Sequence, residues 1–381
     1  MIRTAGLVFL MMVLMLTHAS AQEQSEAAMA ARAASERLGQ ATRQLDAAQS
    51  ARDRVRALTE TVSAFEDGLE AMRDGLRRAS LREARLTREL QAREGEVAQL
   101  LGVLQSMGTR PSPVMLLHPA GPLGTARSGM ILADVTPALN ARADDLRSRL
   151  AEITTLRLLQ QNAVETLQNG LNGVQEARTA LSQAVAERTD LPRRFTEDPV
   201  RTAILISSSE TLESFASDLS EITTDEDRSD LPDISGLRGT LPLPVQGQML
   251  RRYGEADAAG VARPGVLLAT RPRALVTSPT AATIRYRGPL LDYGNVMILE
   301  PQAGTLFVLA GLDVVYGEIG QVIPAASPIG LMGGQEAEIG EIIANSGNGT
   351  GTGRPETLYI EVRQDDAPVD PEAWFATQEE D

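Results

Sequence analysis

The sequence predicts an α plus β protein, a long antiparallel coiled-coil hairpin followed by a mostly β domain. Three observations carry that expectation. From about Ser25 to Met107 the chain has no proline, little glycine and dense mixed charge, the composition of a long helix. From near Ala126 a second helical pattern keeps one heptad frame as far as Val185. After Leu237 proline, glycine and β-branched residues become frequent and the apolar runs become short.

Taken in order, residues 1–21 read as an export signal. Met1-Ile2-Arg3 gives a positive start, Ala5 to Leu16 an apolar run, and Ala19-Ser20-Ala21 the small residues of a cleavage site. The run is shorter than the roughly 20 residues that span a bilayer. Cleavage before Gln22 is therefore expected.

Residues 22–190 are expected to form the hairpin, with its connector at 108–127. In the first arm Val55, Leu58 and Val62, then Leu86, Leu90, Val97, Leu100, Leu104 and Met107, follow heptad spacing. Unbroken, this arm would reach ~120 Å. Arg110-Pro111-Ser112-Pro113 stops it, because proline lacks a donor and clashes with the preceding turn. The second arm puts Leu146, Leu150, Ile153, Val164, Leu167, Leu171, Val174, Leu181 and Val185 on one stripe, with Arg157, Gln160 and Arg178 as polar exceptions. An intramolecular hairpin fits two arms around a proline-rich connector. A parallel homodimer through either seam is the rival arrangement.

Residues 191–236 hold one expected helix, Pro199–Ile222, and an acidic linker from Thr223 to Asp233. Leu212, Phe215, Leu219 and Ile222 give the helix an apolar face. Its partner surface is left open by the sequence, a structural cap on the β domain or on the base of the coiled coil being one reading. Residues 237–381 form the β domain, with strands expected at Gly265–Thr270, Ala281–Arg287, Asn295–Glu300, Thr305–Leu309 and Thr357–Arg363. Between Gln335 and Glu356 a short helix at Glu336–Ala344 and a flexible run at Gly347–Gly353 are expected. No lysine follows the glycines, so they are not a phosphate loop.

Composition excludes several chemistries. There is no cysteine, and all 36 basic residues are arginine. Disulfides, thiolate metal sites and lysine Schiff bases are thereby absent. The only histidines are His18, in the signal, and His118, in the connector. A net charge of −15 argues against nucleic acid as a partner.

The C-terminal residues carry a resemblance. Asp292-Tyr293-Gly294-Asn295-Val296-Met297-Ile298-Leu299 is followed by Leu309-Ala310-Gly311-Leu312. Ile323 to Gly333 then contains Pro328-Ile329-Gly330 and ends on Gly333, with Ile323 for valine and Ala326 for glycine. Leu358-Tyr359-Ile360-Glu361-Val362-Arg363 and Pro368-Val369-Asp370-Pro371-Glu372-Ala373-Trp374 complete the order. This series resembles the LytM, or lysostaphin-type, zinc endopeptidases, whose fold is a duplicated hybrid motif. With the preceding helices, Arg110-Pro111-Ser112-Pro113 and Ala126-Arg127-Ser128-Gly129-Met130-Ile131-Leu132, it looks like the EnvC group of murein hydrolase activators.

The resemblance implies a degenerate site. The family's H-x-x-x-D ligands fall on Arg263 and Leu267, flanking Gly265. Its H-x-H ligands fall on Thr357 and Tyr359, and its further catalytic histidine on Gly311. None of these can supply the expected ligand or base, so neither metal nor cofactor is expected and the chain is not expected to be an enzyme. Arg263, Gly265, Leu267, Gly311, Thr357, Tyr359 and Glu361 would instead line or border a protein-binding groove. Glu361 could also pair structurally with Arg363 or Arg285. The implied partners are a periplasmic N-acetylmuramyl-L-alanine amidase at the groove and an inner-membrane FtsE–FtsX complex at the coiled coil. The resemblance also implies autoinhibition by a helical segment near the groove, for which the Pro199–Ile222 helix and the insertion Gln335–Glu356 are the two candidates. The alternatives are a murein-binding scaffold that activates nothing, and a metallopeptidase with unconventional ligands such as Glu361 and Asp292.

Overall fold

The computed structural model describes residues 36–93, 121–196, 198–222, 233–256, 260–335 and 356–376, with a few single positions between 29 and 102. Residues 1–21, expected as an export signal, Val97, Leu100, Leu104 and Met107 of the first arm, the expected connector through residue 120, the linker at 223–232, and the segment at 336–355 lie outside these residues. The chain divides into two compact units. One comprises Met1–Glu70, Gly170–Glu338 and Gly353–Asp381; the other comprises Ala71–Asn169 and Ile339–Thr352. The roots of the two long helices thus group with the β domain.

The first arm is not continuous. Residues 36–47 are helical, the helix stops at 48–50, and α1 begins anew at Ala51–Ala92. Ser50 explains the break: its Oγ accepts from the Asp53 amide and donates to the Asp53 carboxylate, a local cap that the heptad pattern conceals. The second arm is one helix, α2, Gly121–Ala186. Within the second unit the two run antiparallel, with Glu83 joined to Arg157 and Glu89 to Arg149. Leu86 and Ile153 are buried there, but Leu150 is half exposed. Arg149 takes the facing position beside it, so the apolar stripe departs from the strict heptad frame.

At the helix roots both faces of α1 are covered. Val55, Ala57, Leu58, Val62, Ala64 and Leu69 of α1, and Leu171, Val174, Leu181 and Ala184 of α2, are buried. Arg178, the polar exception on the stripe, is buried against Glu66 at 2.8 Å. Glu66 also accepts from the Leu275 amide at 3.1 Å, and its carbonyl accepts from Arg271. Burial raises the Glu66 carboxyl above its ordinary value, against the opposing pull of Arg178 and Arg271.

The expected single helix over Pro199–Ile222 is two helices, α3 (Pro199–Ser208) and α4 (Leu212–Ile222). Asp198 caps α3 through the amides of Val200 and Arg201, with Pro199 in the first turn. Thr211 and Ser214 exchange hydroxyl-to-amide bonds at the start of α4, a reciprocal cap that forces the restart.

The β domain is a ten-stranded antiparallel sheet with the path β1-β2-β9-β6-β5-β4-β7. Its long members are β2 (Val266–Thr270), β4 (Ala282–Pro289), β5 (Asn295–Gln302), β6 (Thr305–Val315) and β9 (Glu356–Gln364), close to the five expected strands. Shorter strands complete it: β1 (Gly247–Arg251), β3 (Leu275–Thr277), β7 (Val322–Ile323), β8 (Pro328–Met332) and β10 (Ala367–Val369). One face carries a core of Leu268, Met297, Leu299, Phe307, Leu309, Leu358, Ile360, Val362 and Trp374. The opposite face is also buried. Val296, Ile298, Leu306, Val308, Ala310 and Tyr359 pack there against Leu212, Phe215 and Ala216 of α4. Burial on both sides explains why β5 and β6 read as continuous apolar runs instead of alternating ones.

Candidate functional site

The candidate site lies on the α4 side of the sheet, where β2, β9 and β6 adjoin. β9 pairs with β2 so that Tyr359 faces Leu267, and with β6 so that Tyr359 faces Ala310. The two-residue period of a strand puts Thr357, Tyr359, Glu361 and Arg363 on the site face and Leu358, Ile360 and Val362 in the opposite core. The seven residues singled out in the sequence gather here. A methyl on Gly265 would meet the Tyr359 ring at 2.5 Å, and one on Gly311 would meet the Thr357 carbonyl at 2.5 Å. Gly311 also has φ +99°, a conformation that a side chain strains. Arg263 stays exposed, its guanidinium 5.8 Å from the centre of the Tyr293 ring.

The polar groups of this face are consumed by one another. The Tyr359 hydroxyl donates to Glu361 Oε2 at 2.8 Å. Arg363 Nη1 donates to Glu361 Oε1 at 2.8 Å. Arg363 Nη2 donates to Ser217 Oγ of α4 at 2.6 Å and to the Asp366 carbonyl. Glu361 and Arg363 are each 2% exposed, so this is a buried, charge-assisted chain that ends on the covering helix. Burial, and after it the neighbouring Glu361, push the Tyr359 phenol well above its ordinary value. Of the two structural partners expected for Glu361, Arg363 is the one it pairs with; Arg285 pairs with Glu300 instead, at 2.5 Å.

α4 seals the site. Phe215 is fully buried and meets Tyr286 edge to face at 4.7 Å. Leu212 is buried and Leu219 half-buried against the same cluster. Sequence reasoning found this apolar face but missed Ser217, since nothing local marks a serine as the partner of an arginine 146 residues away.

The residues do not fit zinc. A tetrahedral site needs histidine, cysteine or carboxylate donors converging on one point. The positions in question hold a cation, an aliphatic side chain, a threonine, and a tyrosine already bonded to Glu361. Among the described residues no cluster of three His, Asp or Glu could hold a metal ion.

No protein-family model matches the chain. The uncharacterized protein NMB1333 of Neisseria meningitidis serogroup B is 25% identical over 167 residues, 42% of this chain and 25% of that protein. The chain thus spans a quarter of the length of that relative. Among solved structures, a putative M23 peptidase from Pseudomonas aeruginosa is similar at 19% identity and a TM-score of 0.31, over 48% of this chain and 66% of that one. A zinc-containing peptidase from Vibrio cholerae is similar at 22% identity and a TM-score of 0.28, over 36% of this chain and 40% of that one. The catalytic domain of lysostaphin from Staphylococcus simulans is similar at 18% identity and a TM-score of 0.26, over 33% of this chain and 89% of that domain.

Proposed function

We propose that this chain is an exported, non-catalytic activator of peptidoglycan amidases. The single observation that carries the reading is the site on β9. At one of the positions where a LytM-type peptidase would need a ligand, Tyr359 is bonded into a chain with Glu361 and Arg363 that ends on Ser217 of α4. A sheet face whose apolar side chains are covered by a helix suits regulated binding of a protein segment better than hydrolysis. In this reading the amidase binds the groove once α4 has left it. The long helices take a division-site membrane complex of the FtsE–FtsX type, which supplies the change that moves α4. A few kcal/mol of differential affinity would be enough to switch such a cover.

Dye release from labelled murein tests the proposal. The mature protein and an amidase from the same organism are assayed separately and mixed, with and without residues 199–222. Release only in the mixture, increased by the deletion, is expected. Release by this chain alone would overturn the argument against catalysis. Retention on murein sacculi with no effect on any amidase would favour a scaffold.

A further inference from the structure

The cover and the long helices are joined by a short segment that is itself fastened to the sheet. α2 ends at Ala186 and α3 begins at Pro199. Between them the Arg194 amide donates to the Gly320 carbonyl and the Val322 amide to the Pro192 carbonyl, each at 2.9 Å, and Arg193 bridges to Gln321. Side chains add to this. Arg193 pairs with Glu318. Arg194 reaches Glu300 at 3.5 Å, beside the buried Arg285–Glu300 pair. The ring of Phe195 stacks under the Arg285 guanidinium at 4.7 Å and joins the apolar cluster that holds Phe215 and Tyr359.

The two ends of this segment are packed differently. On the cover side Phe195 is part of a filled cluster. On the helix side, a cavity of about 310 Å³ lies among Ser182, Arg188, Leu191, Ile284, Tyr316 and Gln321. Unfilled space thus adjoins the end of α2, whose Ser182 bonds Tyr316 at 2.8 Å, whereas Phe195 sits in a packed cluster.

We propose that Pro192–Phe195 is a clasp that holds the cover shut. Any displacement carried along the backbone from α2 to α4 must pass through these residues. While their bonds to Gly320, Val322, Glu318 and Glu300 hold, movement of α2 is taken up in the cavity and α4 stays seated. When the clasp peels from the β7 edge, Phe195 leaves the cluster beside Phe215, and the cover loses one wall of its seat. The inference builds on α4 being a removable cover, but its test requires no amidase, so the two can fail separately.

Amide hydrogen exchange on the full mature protein is the test. Two variants loosen the clasp without touching α4 or the site. Gly320→Ala puts a methyl inside contact distance of the Phe195 carbonyl. Arg193→Ala with Arg194→Ala removes both ion pairs. In each, exchange at 191–196 and at 212–222 is expected to rise together by roughly tenfold or more, as for loss of one to two net hydrogen bonds, with β5 and β6 amides unchanged. Faster exchange at 191–196 alone would overturn the proposal, because clasp and cover would then be independent. Equal acceleration in β5 and β6 would overturn it too, by making the segment part of the global fold. So would no acceleration at 191–196 in either variant, since the bonds named would then not hold it.

Discussion

Replacing Arg363 by methionine probes how the site is held together. The guanidinium is 2% exposed and binds Glu361, Ser217 and the Asp366 carbonyl. Methionine keeps much of the volume and removes every donor. Breaking one side of a buried ion pair costs about 3–5 kcal/mol, because the remaining charge stays desolvated. The expected cost lies toward the lower end, since Arg363 Nε already lacks a hydrogen-bond partner. Trp374 supplies the assay: it is the only tryptophan in the sequence and is buried in the sheet core, so its fluorescence follows the β domain alone. With a urea slope of about 2 kcal/mol per molar, the midpoint should fall by about 1.5–2 M. Removing the orphaned charge as well, in Glu361→Gln with Arg363→Met, should recover at least half of that loss. A midpoint shift below about 0.3 M, or a double variant no more stable than the single one, would refute the claim that the pair is a buried, mutually dependent unit.

Other outcomes follow from the same geometry. Phe215→Ala should weaken the seating of α4 by about 3 kcal/mol while the Trp374 transition moves less, and under the proposed function it should also raise amidase-dependent dye release from murein. Gly311→Ala should lower the Trp374 midpoint, because the new methyl meets the Thr357 carbonyl and φ is +99°; about 1–3 kcal/mol is expected. Glu66→Gln should change the pH dependence of stability. The folded carboxyl lies above its ordinary 4.5, so the wild type loses stability as pH rises through the raised value, and the glutamine variant lacks that loss. The urea midpoint of the variant relative to the wild type should therefore move in the variant's favour as pH rises from 4.5 through the raised value, whatever offset the lost Arg178 pair imposes. Zinc or a chelator should leave the midpoint of the mature protein unchanged; a zinc-dependent rise would mean that ligands converge after all.

Much of this architecture is legible in residue order, and the failures have identifiable physical causes. The change at Leu237 is visible because strands and helices call for different residues. Val55, Leu58 and Val62 are buried as their spacing requires. Caps were the weak point. Ser50 with Asp53, and Thr211 with Ser214, each restart a helix through hydroxyl bonds that look like ordinary surface polarity inside a longer periodic run. The unrecognised strands β1, β3, β7, β8 and β10 have two to five residues each, too few for a period to show. Leu150 matches the heptad yet is half exposed, because the partner arm offers Glu89 to Arg149 at that level. Tyr359 and Glu361 could be singled out by analogy with a peptidase motif. That Glu361 would be satisfied from its own strand while Arg363 reaches α4 depends on which helix lies above, and that information is distributed over the whole fold.

The position of β9 has a consequence for how the protein is made. β9 is inserted between β2 and β6 yet follows both in the chain, and it brings Thr357, Tyr359, Glu361 and Arg363 with it. α4 precedes every strand. Chains emerge from synthesis starting at the N-terminus, and contacts between distant segments close late. The helix is therefore available before the face it covers exists. The site face is completed only when the last long strand enters beneath a helix already synthesised, so a folding molecule need not display that face uncovered at any stage.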